Sequence, residues 1–118
     1  MIGFIYIGLG GALGAMLRYA ISLIPYKQSF PLLTLVTNVL GALLIGYITG
    51  IASKKSISPN LSLFLKTGLC GGFTTFSTFS LEAYTLFENG IYGIAGVYVV
   101  LSIIGCLLGI WIGNRFVA

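Results

Sequence analysis

Histidine and aspartate are absent from these 118 residues, and the only acids are Glu82 and Glu88. That removes the Ser-His-Asp arrangement of acyl transfer and most of the material for general acid–base work or a side-chain metal site. The two cysteines, Cys70 and Cys106, have 35 residues between them and no C-x-x-C spacing, and read as small buried hydrophobes. The six basic residues are scattered singly or as one Lys-Lys pair, so no stripe exists that could track a phosphate backbone, and nucleic acid is excluded as a partner. No basic segment precedes the first apolar run, and the opening residues read as mature sequence rather than a signal peptide. Proline is also scarce, with three residues in all, two of which bracket the loop PYKQSFP.

What remains is overwhelmingly apolar. With 58% hydrophobic residues, 7% charged and a mean hydropathy of +1.08, the chain has a surface suited to lipid. A crossing needs about 20 apolar residues, and the pattern predicts four, over residues 2–24, 32–52, 61–87 and 91–113, closed by PYKQSFP, SKKSISPN and ENG. The expected fold is all-α, a single four-helix transmembrane domain over residues 1–118. Both termini then share a side with Lys54, Lys55 and Arg115, against Lys27 on the other, while Arg18 and Lys66 fall inside spans. So weak a bias leaves both orientations open, and with them an antiparallel dimer.

Glycine recurs at helical spacing: Gly10 with Gly14, Gly46 with Gly50, Gly68 with Gly72, and Gly105 with Gly109 and Gly113. In lipid, small residues four apart let helix backbones approach, and this predicts close packing without naming the partner. GLGGALG, residues 8–14, is not a dinucleotide fingerprint, because counted from Gly8 the third glycine position falls on Leu13.

Four polar groups stand out in the oil. Arg18 reads equally as a snorkelled anchor or as positive potential for an anion vestibule, and snorkelling is favoured for Lys66. Glu82 lies toward the end of the third span. Asn38 lies roughly 10 Å inside the second at about 1.5 Å per residue, where its amide must be satisfied by another helix or by a permeating species.

The densest polarity is GLCGGFTTFSTFSLEAY, residues 68–84, in which Thr74, Thr75, Ser77, Thr78 and Ser80 interleave with Phe73, Phe76 and Phe79. On a continuous helix the rings share one arc, and Thr75, Thr78 and Glu82 share the next. The Gly71–Gly72 pair is the expected place for the helix to break, since irregular backbone at membrane depth is tolerated only where it is buried in protein or lines a cavity. Isolated hydroxyls would bond back to their own helix; so dense a cluster predicts a lined pathway. Hydroxyl and amide hydrogens and ring edges suit a small anion, whereas a cation prefers ring faces, carboxylates or carbonyls.

Three segments, GGALGAMLRY (10–19), TLVTNVLG (34–41) and GLCGGFTTFSTF (68–79), together resemble the CrcB/Fluc family of bacterial fluoride channels. The likeness covers the whole chain, and the third motif is the most specific; the second departs from the family in carrying Thr37 before the asparagine. The resemblance implies a non-enzymatic passive channel in the bacterial inner membrane: a dual-topology homodimer with two narrow pores. By motif position it implies pore roles for Asn38, Phe76, Phe79, Ser77 and Thr78, with Tyr98 and Ser102 as fourth-span candidates. It further implies Arg18 in a vestibule, Glu82 near a pore mouth, and a structural sodium ion held by the backbone carbonyls of Gly71 and Thr74 from both copies. Fluoride that enters as HF and dissociates inside would leave through such a channel without a pump. The small multidrug exporters are similar in size, but they carry an acid in the first span where this chain has Arg18.

Overall fold

The computed structural model describes residues 1–117, and among them every regular element is helical. Three helices are long and apolar enough to cross a membrane: α1 (Ile2–Ser22), α2 (Leu32–Lys54) and α6 (Tyr92–Arg115). The third crossing expected from sequence is built in pieces. Helix α3 (Pro59–Ser62) runs into a π-helical stretch, Leu63–Cys70, and a last turn, α4 (Gly71–Phe73); after two extended residues the chain resumes as α5 (Phe76–Glu88).

Local chemistry sets these ends. Ser58 caps α3 by accepting from the Leu61 N–H at 3.1 Å, with Pro59 in the first turn where its missing N–H costs nothing. Helix α5 ends at Gly90, whose φ of 77° is open to glycine and whose neighbour Ile91 donates back to the Leu86 carbonyl at 2.9 Å.

Large apolar side chains point outward, among them Phe4, Leu9, Leu107 and Trp111, while much of the interior is glycine, alanine and Tyr98. This inversion is what a lipid solvent dictates. Apolar burial contributes little between helices there, so close backbone contact takes its place. Gly10 and Gly14 of α1 interdigitate with Gly68 and Gly72, and a Cβ on Gly72 would stand 2.5 Å from the Gly11 carbonyl oxygen. Gly105 packs on Val39, Gly109 on Ala42 and the Val39 carbonyl, Gly46 on the backbone of Ile110, and Gly50 on Val117 and the Asn114 carbonyl. Both sets of contacts advance along the two partners in the same direction, so α1 runs parallel to the first half of the third span and α2 parallel to α6. The glycine spacing thus serves contacts within the chain.

The break does not fall at Gly71–Gly72 as the sequence suggested. Gly71 is helical, with φ −63° and ψ −37°, and the chain departs at Thr74 (ψ 158°) and Thr75 (φ −150°). Gly72 is used for its lack of a side chain against α1, not for conformational freedom.

Gly72→Ala is expected to destabilise the fold by about 1–3 kcal/mol, because the added methyl meets backbone that cannot turn aside. Gly8→Ala, whose Cβ would meet nothing within 4 Å, should be neutral or stabilising by at most about 1 kcal/mol. Thermal unfolding in detergent, followed by size-exclusion chromatography, separates the two.

Candidate functional site

The two extended residues at the break expose backbone groups that hydrocarbon cannot satisfy. Asn38 of α2 satisfies two of them: its Oδ1 accepts from the Thr75 N–H at 2.8 Å, and its Nδ2 donates to the Thr75 carbonyl at 3.1 Å. The Thr75 hydroxyl accepts from the Thr78 N–H at 3.1 Å and so caps α5. Thr74 donates its hydroxyl to the Cys70 carbonyl at 2.9 Å, beside the Thr74 N–H bond to the same oxygen at 3.0 Å. Arg18 completes the set. Its half-buried guanidinium donates from Nε to the Gly72 carbonyl at 3.3 Å, placing a cation against the negative end of α4.

Glu82, one turn and a half along α5, is tied from two sides. Thr34 of α2 donates to one carboxylate oxygen at 3.0 Å and Tyr98 of α6 to the other at 2.8 Å. The Tyr98 ring is fully buried between Phe79, at 5.1 Å between centroids, and Phe30 of the first loop, at 5.6 Å and 80°. Phe76 lies 5.6 Å from Phe79 but is 79% exposed, whereas Phe79 is buried. The rings and the carboxylate clamp form a column from the loop to the break.

Beside the break lies a groove of about 400 Å³ between α2, the third span and α6. Asn38, Phe76, Phe79 and Ser102 line it together, with Gly71 and Thr74 on the same wall. Ser102 is 7% exposed, and its hydroxyl has no hydrogen-bond partner. Asn38 spends one amide hydrogen on Thr75 and keeps the other. Apart from Lys66 near one end, the groove therefore offers two unspent polar hydrogens among largely apolar walls.

The residues expected along one pathway fall into separate places. Arg18 and Thr78 line a small pocket of about 90 Å³ with Thr34 and Thr37, on the other side of the break. Glu82 borders a cavity of about 420 Å³ under the first loop. Ser77 is exposed and lines none of these cavities, and Tyr98 sits behind Phe79. Of the hydroxyl ladder, Thr75 and Thr78 stay together on the small pocket, the Thr75 hydroxyl capping α5, while Glu82 borders the other cavity. Sequence reading missed Thr34, Phe30 and the groove position of Lys66. For Thr34 a signal existed, since it precedes Asn38 by one helical turn and shares its face. Cys70 and Cys106 are both free thiols lining the groove.

Asn38→Ala strips the Thr75 peptide of both partners and is expected to cost about 1–3 kcal/mol for each group left buried, read as a lowered melting temperature in detergent. Tyr98→Phe removes one donor to Glu82 and should cost about 1.5–3 kcal/mol by the same measurement, in the range of hydrogen bonds to charged groups.

Comparison with known proteins places this architecture. The family model described as "CrcB-like protein, Camphor Resistance (CrcB)" matches residues 5–114. A protein of Methylobacillus flagellatus named fluoride-specific ion channel FluC is 44% identical, the alignment covering 94% of this chain and 91% of that one. Proteins of the same name from Flavobacterium psychrophilum (46% identical, covering 92% and 90%) and Methanococcus maripaludis (43%, covering 92% and 89%) are similarly close. Matched from the first apolar helix almost to the end of the last, the chain belongs to the CrcB-like family of membrane proteins.

Proposed function

We propose that this chain is a passive, fluoride-selective channel that lets the anion leave the cell down its electrochemical gradient, and that it works as two copies inserted in opposite orientations in the inner membrane. The observation that carries the reading is the groove beside the break, where a partnerless Ser102 hydroxyl and the remaining Asn38 amide hydrogen face a space bounded by Phe76 and Phe79. Fluoride holds its water tightly, and only strong donors at short range replace that hydration. Hydroxyl and amide hydrogens with positive ring edges are such donors. Relatives 43–46% identical over nine-tenths of the chain bear the name of that activity. The name those relatives bear is that of a conduit, not an enzyme, and this chain acts in the same way.

Two features support a second copy. Phe76 is largely exposed in the middle of the span, and Gly71 has open space where a side chain would be, its nearest neighbour being the Lys66 carbonyl at 3.9 Å. A facing copy would close the groove and bury both. The backbone also fits the expected sodium ion: the Thr75 N–H is taken by Asn38, which leaves the Gly71 carbonyl without its helical donor, and the Thr74 carbonyl stands at the break. Carbonyl oxygens are the donors a hard monovalent cation accepts, and bound there it would supply positive charge that holds the two copies together. Arg18 stands on the far side of the break, where it would lend positive potential to an entering anion. With about 2.3 kcal/mol per charge per 100 mV, an inside-negative membrane drives the anion outward without coupling to ATP or protons.

Purified protein in liposomes is expected to carry an electrogenic fluoride current and to reject chloride. Ser102→Ala, Phe76→Ile and Phe79→Ile should each slow it, on the order of tenfold for the loss of one desolvated contact worth about 1.4 kcal/mol. Proton-coupled flux, or chloride passing as readily as fluoride, would overturn the reading.

A further inference from the structure

Lys66 is the one charged side chain lining the groove, and it stands near one end. Thr74 and Gly41 meet at the middle of the groove, Thr75 and Asn38 just beyond, while Lys66 lies eight residues back along the third span. Because α2 and α6 run opposite to the third span, Lys66 shares its end of the groove with Ile45 and Ile110, toward the membrane face reached by Lys54, Lys55 and Arg115. Asn38, Phe76, Phe79 and Ser102 line the same groove. The π-helical stretch, Leu63–Cys70, holds Lys66 on the groove wall, its carbonyl accepting from the Gly71 N–H five residues on. Among the described residues neither side-chain carboxylate is spent on it: Glu82 is held by Thr34 and Tyr98, and Glu88 ends α5 at the opposite face.

We propose that Lys66 is the charge that gathers anions at this end of the groove, raising their local concentration ahead of the neutral donors that strip their water. The proposal rests on the channel reading above and deepens it by separating capture from selection. Capture is long-ranged and screened by salt; selection among anions, made by short donors and ring edges, is not. An unpaired cation at a low-dielectric cleft raises capture rates in a way that falls steeply with ionic strength. The relevant screening length is about 30 Å at 0.01 M and 3 Å at 1 M. Lys66 is thus a positioning residue for the incoming ion and sets the rate, not the identity, of what passes.

The test is fluoride flux from liposomes at fixed low fluoride, with ionic strength raised by an impermeant salt, for wild type, Lys66→Gln, Lys66→Glu and Lys66→Arg. At low salt Lys66→Gln should lose roughly threefold or more and Lys66→Glu further, a modest share of the 10–1000-fold that focused charge can supply. At high salt all should converge on wild type, with fluoride-over-chloride selectivity unchanged throughout. Lys66→Arg should keep both the rate and its salt dependence, and being the conservative change it reads out the charge even if the neutral variants insert poorly. A Lys66→Gln protein equal to wild type at every salt, or slowed equally at every salt, would overturn the proposal and leave a membrane anchor. A wild type without fluoride flux would instead overturn the channel reading on which this one stands.

Discussion

The bidentate pairing of Asn38 with the Thr75 peptide is the interaction on which the site depends. In hydrocarbon an interrupted helix is forbidden unless its freed groups find partners. A side chain carrying both a donor and an acceptor is the smallest device that can serve one residue's N–H and carbonyl at once. Because that side chain comes from α2, the break fixes the third span against the second, and the groove is the space left beside the joint. Arg18, reaching from α1 to the Gly72 carbonyl, ties the same joint to a third helix.

The glycines make this geometry reachable. Gly10, Gly14, Gly68 and Gly72 let α1 and the third span approach until backbone touches backbone, and only at that distance does Arg18 meet the end of α4. On the other side Gly46 and Gly113 hold α2 to α6 in the same manner, which aligns Ser102 with Asn38 across the groove. The two glycine seams act as rails and the break as the crosspiece.

Much of this was legible in the sequence, for a definite physical reason. Span positions follow from runs of apolar residues bounded by proline, lysine and asparagine, a signal that depends on no tertiary contact, and α1, α2 and α6 lie within two residues of their expected bounds. An amide at the depth of Asn38 needs a partner, but that partner, Thr75, is 37 residues away and nothing local points to it. The break was expected at Gly71–Gly72 because glycine is the residue of conformational freedom; here it is the residue of close approach, and the helix ends where Thr75 finds a better acceptor in Asn38 than in its own turn. Thr74 follows the modest alternative, bonding back to Cys70, so five clustered hydroxyls did not share one purpose. Lys66 is exposed, as a snorkelling side chain would be, but its position in a span does not say which wall it stands on, and its place on the groove is visible only in the folded chain.

The reach of Asn38 to Thr75 also bears on how the chain is made. A ribosome delivers residue 38 well before residue 75, so the helix bearing the amide is already in the bilayer when the segment with the bare peptide arrives. A partner supplied by α6 instead would leave that peptide exposed to lipid until the last segment had been threaded. Biogenesis thus finds the more vulnerable element entering second, against a neighbour prepared to receive it.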